Sequence, residues 1–123
     1  MPVRGIRGAI TVDGNHTRGI LDATRELLKA IQSTNSSLNS EDIASILFTV
    51  TGDLNSVYPA QAAREMGWAQ VPLMCAVEIP VPGSLSKCIR VLIHWNTPLK
   101  QDQINHVYLR DAVKLRPDLT KTS

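Results

Sequence analysis

Arg90 interrupts an apolar run, Cys88-Ile89-Arg90-Val91-Leu92-Ile93, that otherwise reads as a strand. A guanidinium carried into or beside a core is costly unless a carboxylate, a phosphate or a ligand pairs with it. A second apolar run, Val71-Pro72-Leu73-Met74-Cys75-Ala76-Val77-Glu78-Ile79, offers Cys75 and Glu78 as companions. Glu78 either neutralises Arg90 or faces a ligand with it, and structural ion pairs place charges much as binding sites do, so both readings stand. Arg7 lies in a glycine-flanked strand, Arg64 on a short helix and Arg116 just before Pro117. Taken singly, Arg64 and Arg116 read as solvated surface charges. Cys75 reads as a small buried hydrophobe, since no general base stands beside it in sequence. There is no glycine-rich phosphate loop, and no set of residues at metal-ligand spacing. Several arginine donors with one carboxylate suit a small anion that carries more than one carboxylate and a hydroxyl.

These residues need rigid elements to hold them. Val3 to Val12 reads as a strand whose alternation puts Val3, Gly5, Arg7 and Ala9 on one face, with Gly5 and Gly8 allowing close approach to the backbone. Asp13-Gly14-Asn15 reads as a turn and helix cap before Ile20, Leu21, Thr24, Leu27, Leu28 and Ile31 at helical spacing. Ser40-Glu41-Asp42 begins a brief helical turn, and Ser45 to Thr51 a second strand. Pro59 suits the first position of a short helix that Gly67 stops. Strands follow around Val71 to Glu78 and Cys88 to Trp95, and the prolines of the Pro80 to Ser84 link keep any hairpin between them short. Gln101 to Tyr108 is expected to form a helical turn, Asp111 to Leu115 a closing strand, and the tail after about residue 116 to be flexible. The fold class is therefore α+β, a mixed five-stranded sheet with one long helix on one face. One helix cannot cover both faces, and many strand positions are apolar on both, so a homo-oligomer is expected.

The composition agrees with this reading. A chain of 123 residues, 43% hydrophobic, suits one domain, residues 1–123, with a modest core. The net charge is only +2, with 13 basic and 11 acidic residues dispersed, which argues against a nucleic-acid partner. The start Met1-Pro2-Val3-Arg4 leads into no apolar targeting stretch, and no run is long enough to span a membrane, so a soluble cytoplasmic protein is expected. Cys75 and Cys88 are then free thiols rather than a disulfide, and His16, His94 and His106 ordinary structural or surface residues.

An ordered set of motifs goes further. Arg4-Gly5-Ile6-Arg7-Gly8-Ala9, Val57-Tyr58-Pro59-Ala60 with Arg64, the Cys75 to Glu78 spacing, Lys87-Cys88-Ile89-Arg90-Val91, Gln101-Asp102-Gln103-Ile104 with His106-Val107-Tyr108-Leu109, and Leu115-Arg116-Pro117-Asp118-Leu119 occur in sequence. Together they resemble the monofunctional chorismate mutases of the trimeric, barrel-like bacterial class, over nearly the whole chain. The resemblance implies conversion of chorismate to prephenate, on the route to phenylalanine and tyrosine, by a homotrimeric pseudo-α/β barrel with interfacial sites and no cofactor. It assigns Arg7, Cys75, Glu78, Arg90 and Tyr108 to one subunit, and Tyr58, Ala60, Gln61 and Arg64 to its neighbour. Leu73 and Met74 would line the wall, and Leu115 with Arg116 would close the mouth. Gln61 departs from the pattern, standing where many members carry lysine, and Tyr58 stands where some carry phenylalanine. Two rivals remain open: a trimeric imine-hydrolysing enzyme of similar architecture, and a non-catalytic module that binds a small carboxylate.

Overall fold

The computed structural model describes residues 1–115, and Arg116 with the rest of the tail lies outside the described residues. Strand β1 (Val3–Thr11) leads into helix α1 (Thr17–Thr34), which buries Ile20, Leu21, Ala23, Thr24, Leu27, Leu28 and Ile31. Each such Leu or Ile contributes roughly 1.5–3 kcal/mol relative to an exposed side chain. The helix begins at His16, whose side chain makes no capping bond. Asn15 serves elsewhere: its Oδ1 accepts the backbone N–H groups of Asn55 and Ser56, tying this turn to the loop beyond the next strand. A 3-10 turn at Ser40–Asp42, capped by the Asn39 side chain, precedes β2 (Ile43–Val50). Helix α2 (Ala60–Glu65) follows, with Pro59 at its N-cap and Gly67 beyond its end at φ +94°, a left-handed conformation that glycine adopts without strain. Then come β3 (Leu73–Val77), β4 (Cys88–Asn96) and β5 (Val107–Leu109).

The five strands form one mixed sheet in the order β3-β2-β4-β1-β5. Central β4 runs antiparallel to β1 and β2, while β3 is parallel to β2, and β5 to β1. The proline-rich link does more than shorten a hairpin, because β3 and β4 do not pair and β2 lies between them. The closing strand also differs from the expected one. Val107–Leu109 pairs with Gly8, Ala9 and Ile10, whereas Arg110–Lys114 is a 3-10 turn. The reason lies at the end of β1: Arg110, at φ +55°, donates from Nη1 to the Thr11 carbonyl, and the Thr11 hydroxyl accepts the N–H of Asp111. The left-handed turn at Arg110 takes the chain out of extended geometry and sends the Asp111 N–H to a side-chain hydroxyl instead of a β1 carbonyl, so the ladder stops there. The helical turn expected over Gln101 to Tyr108 is confined to Gln101–Gln103.

Strand alternation separates the two faces. Ile6, Ile10, Ile46, Phe48, Ile89, Ile93 and Trp95 are fully or almost fully buried in the core that includes α1. Gly8 shares that face: a Cβ there would lie 2.8 Å from Ile31 Cδ1, 3.0 Å from Val91 Cγ1 and 3.2 Å from Leu27 Cδ1. The close approach expected at the β1 glycines is therefore, at Gly8, that of the long helix. Asn35, itself buried, fastens the helix end to the approach to β5: its amide donates to the Ile31 and Asn105 carbonyls and accepts the Asn105 N–H. Gly8→Val should overpack this contact and destabilise the protein by about 1–3 kcal/mol, measured by urea unfolding. An unchanged midpoint would show that α1 yields freely.

Candidate active site

The opposite sheet face carries the charges. By register, Tyr108, Ala9, Arg90 and Thr49 form one row across β5, β1, β4 and β2. Arg7, Leu92 and Leu47 form the next. Paired residues project on the same side, so Arg7, Arg90, Tyr108 and Thr49 converge on one cavity of about 410 Å³, which Glu78 and Leu115 also line. Ala9, fully buried between Tyr108 and Arg90, has too little side chain to fill the space between them.

Arg90 and Glu78 meet there, but not tightly. Their closest approach is 3.7 Å, from Arg90 Nε to Glu78 Oε2, with the arginine side chain 40% exposed and the glutamate 25%. Arg90 Nε is buried and makes no hydrogen bond among the described residues. The same Glu78 Oε2 accepts a hydrogen bond from Thr49 Oγ1, and the Glu78 N–H donates to the Val50 carbonyl. The carboxylate is thus fixed to β2 rather than clamped on the guanidinium. Arg7 is positioned through its backbone, whose N–H donates to His106 Nδ1 at 2.9 Å.

Cys75 does not join this group. It pairs with Phe48, packs against the helix-side core, and lines a second cavity of about 510 Å³ with Val57, Tyr58 and Pro59. Strand alternation thus separates it from Arg90, against the grouping the resemblance implied. Tyr58 is 71% exposed, and Ala60 is buried. Gln61 is half-buried and donates to Glu65, which also accepts from Arg25 of α1. Arg64 is exposed on α2. Leu73 packs against the core; Met74, 68% exposed, continues the row of Arg7, Leu92 and Leu47 but is not among the residues that line the cavity of Arg90. Leu115 does line it, while Arg116 lies outside the described residues.

Two residues of the site escaped sequence reasoning. Thr49 shares its phase along β2 with Leu47, opposite the buried Ile46 and Phe48, so a hydroxyl on that face was the available signal. His106 is three-dimensional in origin, because only the pairing of β5 with β1 brings its ring to Arg7. Among the described residues no three His, Cys, Asp or Glu side chains converge to hold a metal, and no helix is long and apolar enough to cross a membrane.

Comparison with known proteins gives a consistent result. Residues 3–119 match the family model described as chorismate mutase type I. The chain is 56% identical over 117 residues to chorismate mutase AroH of Thermus thermophilus, which covers 95% of this chain and 96% of that protein. It is 47% identical over 123 residues to chorismate mutase AroH of Bacillus subtilis strain 168, covering 99% and 96%. A solved chorismate mutase from Clostridium thermocellum superposes with a TM-score of 0.85 at 52% identity, covering 88% of this chain and 96% of that one.

Cys88, on the site face of β4, is fully buried with Ala9, Tyr108 and Ala112. Burial pushes its thiol above the ordinary range, and the Arg90 guanidinium only partly opposes this. A raised value leaves the thiol protonated, and hence a poor nucleophile, at neutral pH. Maleimide at neutral pH should leave Cys88 unlabelled in the native protein and label it after unfolding, as read by peptide mass spectrometry. Native labelling would mean that the cluster opens readily.

Proposed function

The chain belongs to the type I chorismate mutase family and is an isomerase that converts chorismate to prephenate, and we propose that Arg90, Glu78, Arg7 and Tyr108 carry the reaction in one continuous catalytic domain. The observation that supports this most is the single cavity that gathers two arginines, one carboxylate and a phenol. Such a set matches a hydroxylated dicarboxylate.

The rearrangement is unimolecular. A carbon–oxygen bond breaks while a carbon–carbon bond forms, and negative charge grows on the ether oxygen. An enzyme accelerates it by holding the compact conformer and by aiming a fixed cation at the oxygen that becomes electron-rich. Arg90 is that cation, held on the central strand with neighbours on both sides. Arg7 holds a substrate carboxylate, Tyr108 donates to the substrate, and Glu78 accepts from the substrate hydroxyl. The loose Arg90–Glu78 pair fits both of the roles first considered for it, since the carboxylate balances the guanidinium without closing over it.

We further propose a homotrimer in which the second cavity meets the Arg90 cavity of an adjacent copy. In this arrangement Cys75 belongs with Tyr58, Ala60, Gln61 and Arg64 as the neighbour's contribution. Three things support it. Cys75 and Tyr58 share a cavity that lacks Arg90; Met74, Val77 and Ile79 are each more than two-thirds exposed; and only one sheet face carries the long helix. Gln61, already engaged by Glu65, brings a neutral amide and not a cation to that interface.

Purified protein should convert chorismate to prephenate, followed by loss of chorismate absorbance. Arg90→Ala should fold and assemble but lose turnover by at least about a hundredfold to a thousandfold, the usual effect of deleting one preorganised donor. Near-native turnover would assign the ether oxygen to another group. Sedimentation equilibrium should return three times the 13.5 kDa chain mass; a monomer with full activity would overturn the composite site.

A further inference from the structure

Resting on the reading of Arg90 and Glu78 given above, we propose that Thr49 is a positioning residue, which holds the Glu78 carboxylate off Arg90 so that the guanidinium stays directed at the reacting oxygen. Thr49 Oγ1 donates to Glu78 Oε2, the oxygen that lies nearest Arg90. The guanidinium stops 3.7 Å away, and its buried Nε has no hydrogen bond among the described residues. A buried donor beside a carboxylate normally takes a full hydrogen bond, because leaving it unmade carries the donor's whole desolvation penalty. What prevents closure is that the Glu78 carboxylate is already engaged by the Thr49 hydroxyl, while the Glu78 backbone is anchored to β2 by its N–H on the Val50 carbonyl.

Register makes the arrangement rigid. Thr49 is the direct partner of Arg90 across β2 and β4, so hydroxyl and guanidinium rise from the sheet side by side, with Glu78 arriving from beyond β3. Threonine's branched Cβ also restricts its side-chain rotation, which favours a fixed donor. Without that donor Glu78 would swing onto Arg90 Nε, draw the guanidinium down towards the sheet, and spend on an internal ion pair the charge meant for the developing oxyanion. That loss is felt in the transition state more than in substrate binding, so it falls on kcat.

The test uses the enzyme and two variants at Thr49. Thr49→Val keeps shape and β-branching without the hydroxyl, and Thr49→Ser keeps the hydroxyl. Removal of a hydrogen bond to a charged group should lower the kcat of Thr49→Val by about tenfold or more, with KM within about threefold and the melting temperature little changed. Thr49→Ser should recover most of kcat. If Thr49→Val failed to fold, Thr49→Ala would be read in the same way. A kcat of Thr49→Val within about threefold of wild type, a change confined to KM, or an equal loss in Thr49→Ser would each overturn the proposal. Failure of the underlying site reading looks different, since Arg90→Ala would then remain active whatever Thr49 does.

Discussion

Everything around the site follows from seating one guanidinium on the middle strand of a sheet. Arg90 has β1 on one side and β2 on the other, and its inner nitrogen is buried. A cation so placed needs negative charge nearby, yet a carboxylate bound tightly to it would spend its field internally. The structure meets both demands with Glu78 at 3.7 Å, fixed by other partners. Balance without closure is the arrangement that keeps the charge available.

The flanking residues make sense on the same terms. Ala9 keeps the space between Tyr108 and Arg90 open, while Gly8, one position earlier, clears the other face for Ile31 and Leu27. Two adjacent small residues thus serve opposite sides of the sheet. His106 and Asn35 add side-chain hydrogen bonds that keep β5 and α1 in step with β1.

Much of this was legible in the sequence, because periodicity reports burial directly. The long helix, the short helix between Pro59 and Gly67, four of the strands and the charged residues of one face could all be read from local pattern. What could not be read depends on which strands meet. Val107–Leu109 became the closing strand because β1 offered an edge and the chain turns away at Arg110, where the Asp111 N–H meets the Thr11 hydroxyl, facts that no local window contains. Cys75 is the sharpest case: it sits three residues before Glu78, an odd separation that puts the two on opposite faces, yet the family motif lists them together. Motif order says which residues matter, and strand parity says which of them share a cavity.

The strand order also has a kinetic consequence. β1 lies between β4, about eighty residues later, and β5, later still, so the row from Tyr108 to Thr49 joins the two ends of the chain. Loop-closure entropy for such pairings must be met before any contact rewards it, which places this protein among slower-folding topologies. During synthesis the apolar β1 emerges early and waits, unpaired, until nearly all the chain has been made. Arg90 therefore acquires its surroundings late, as the final strands dock.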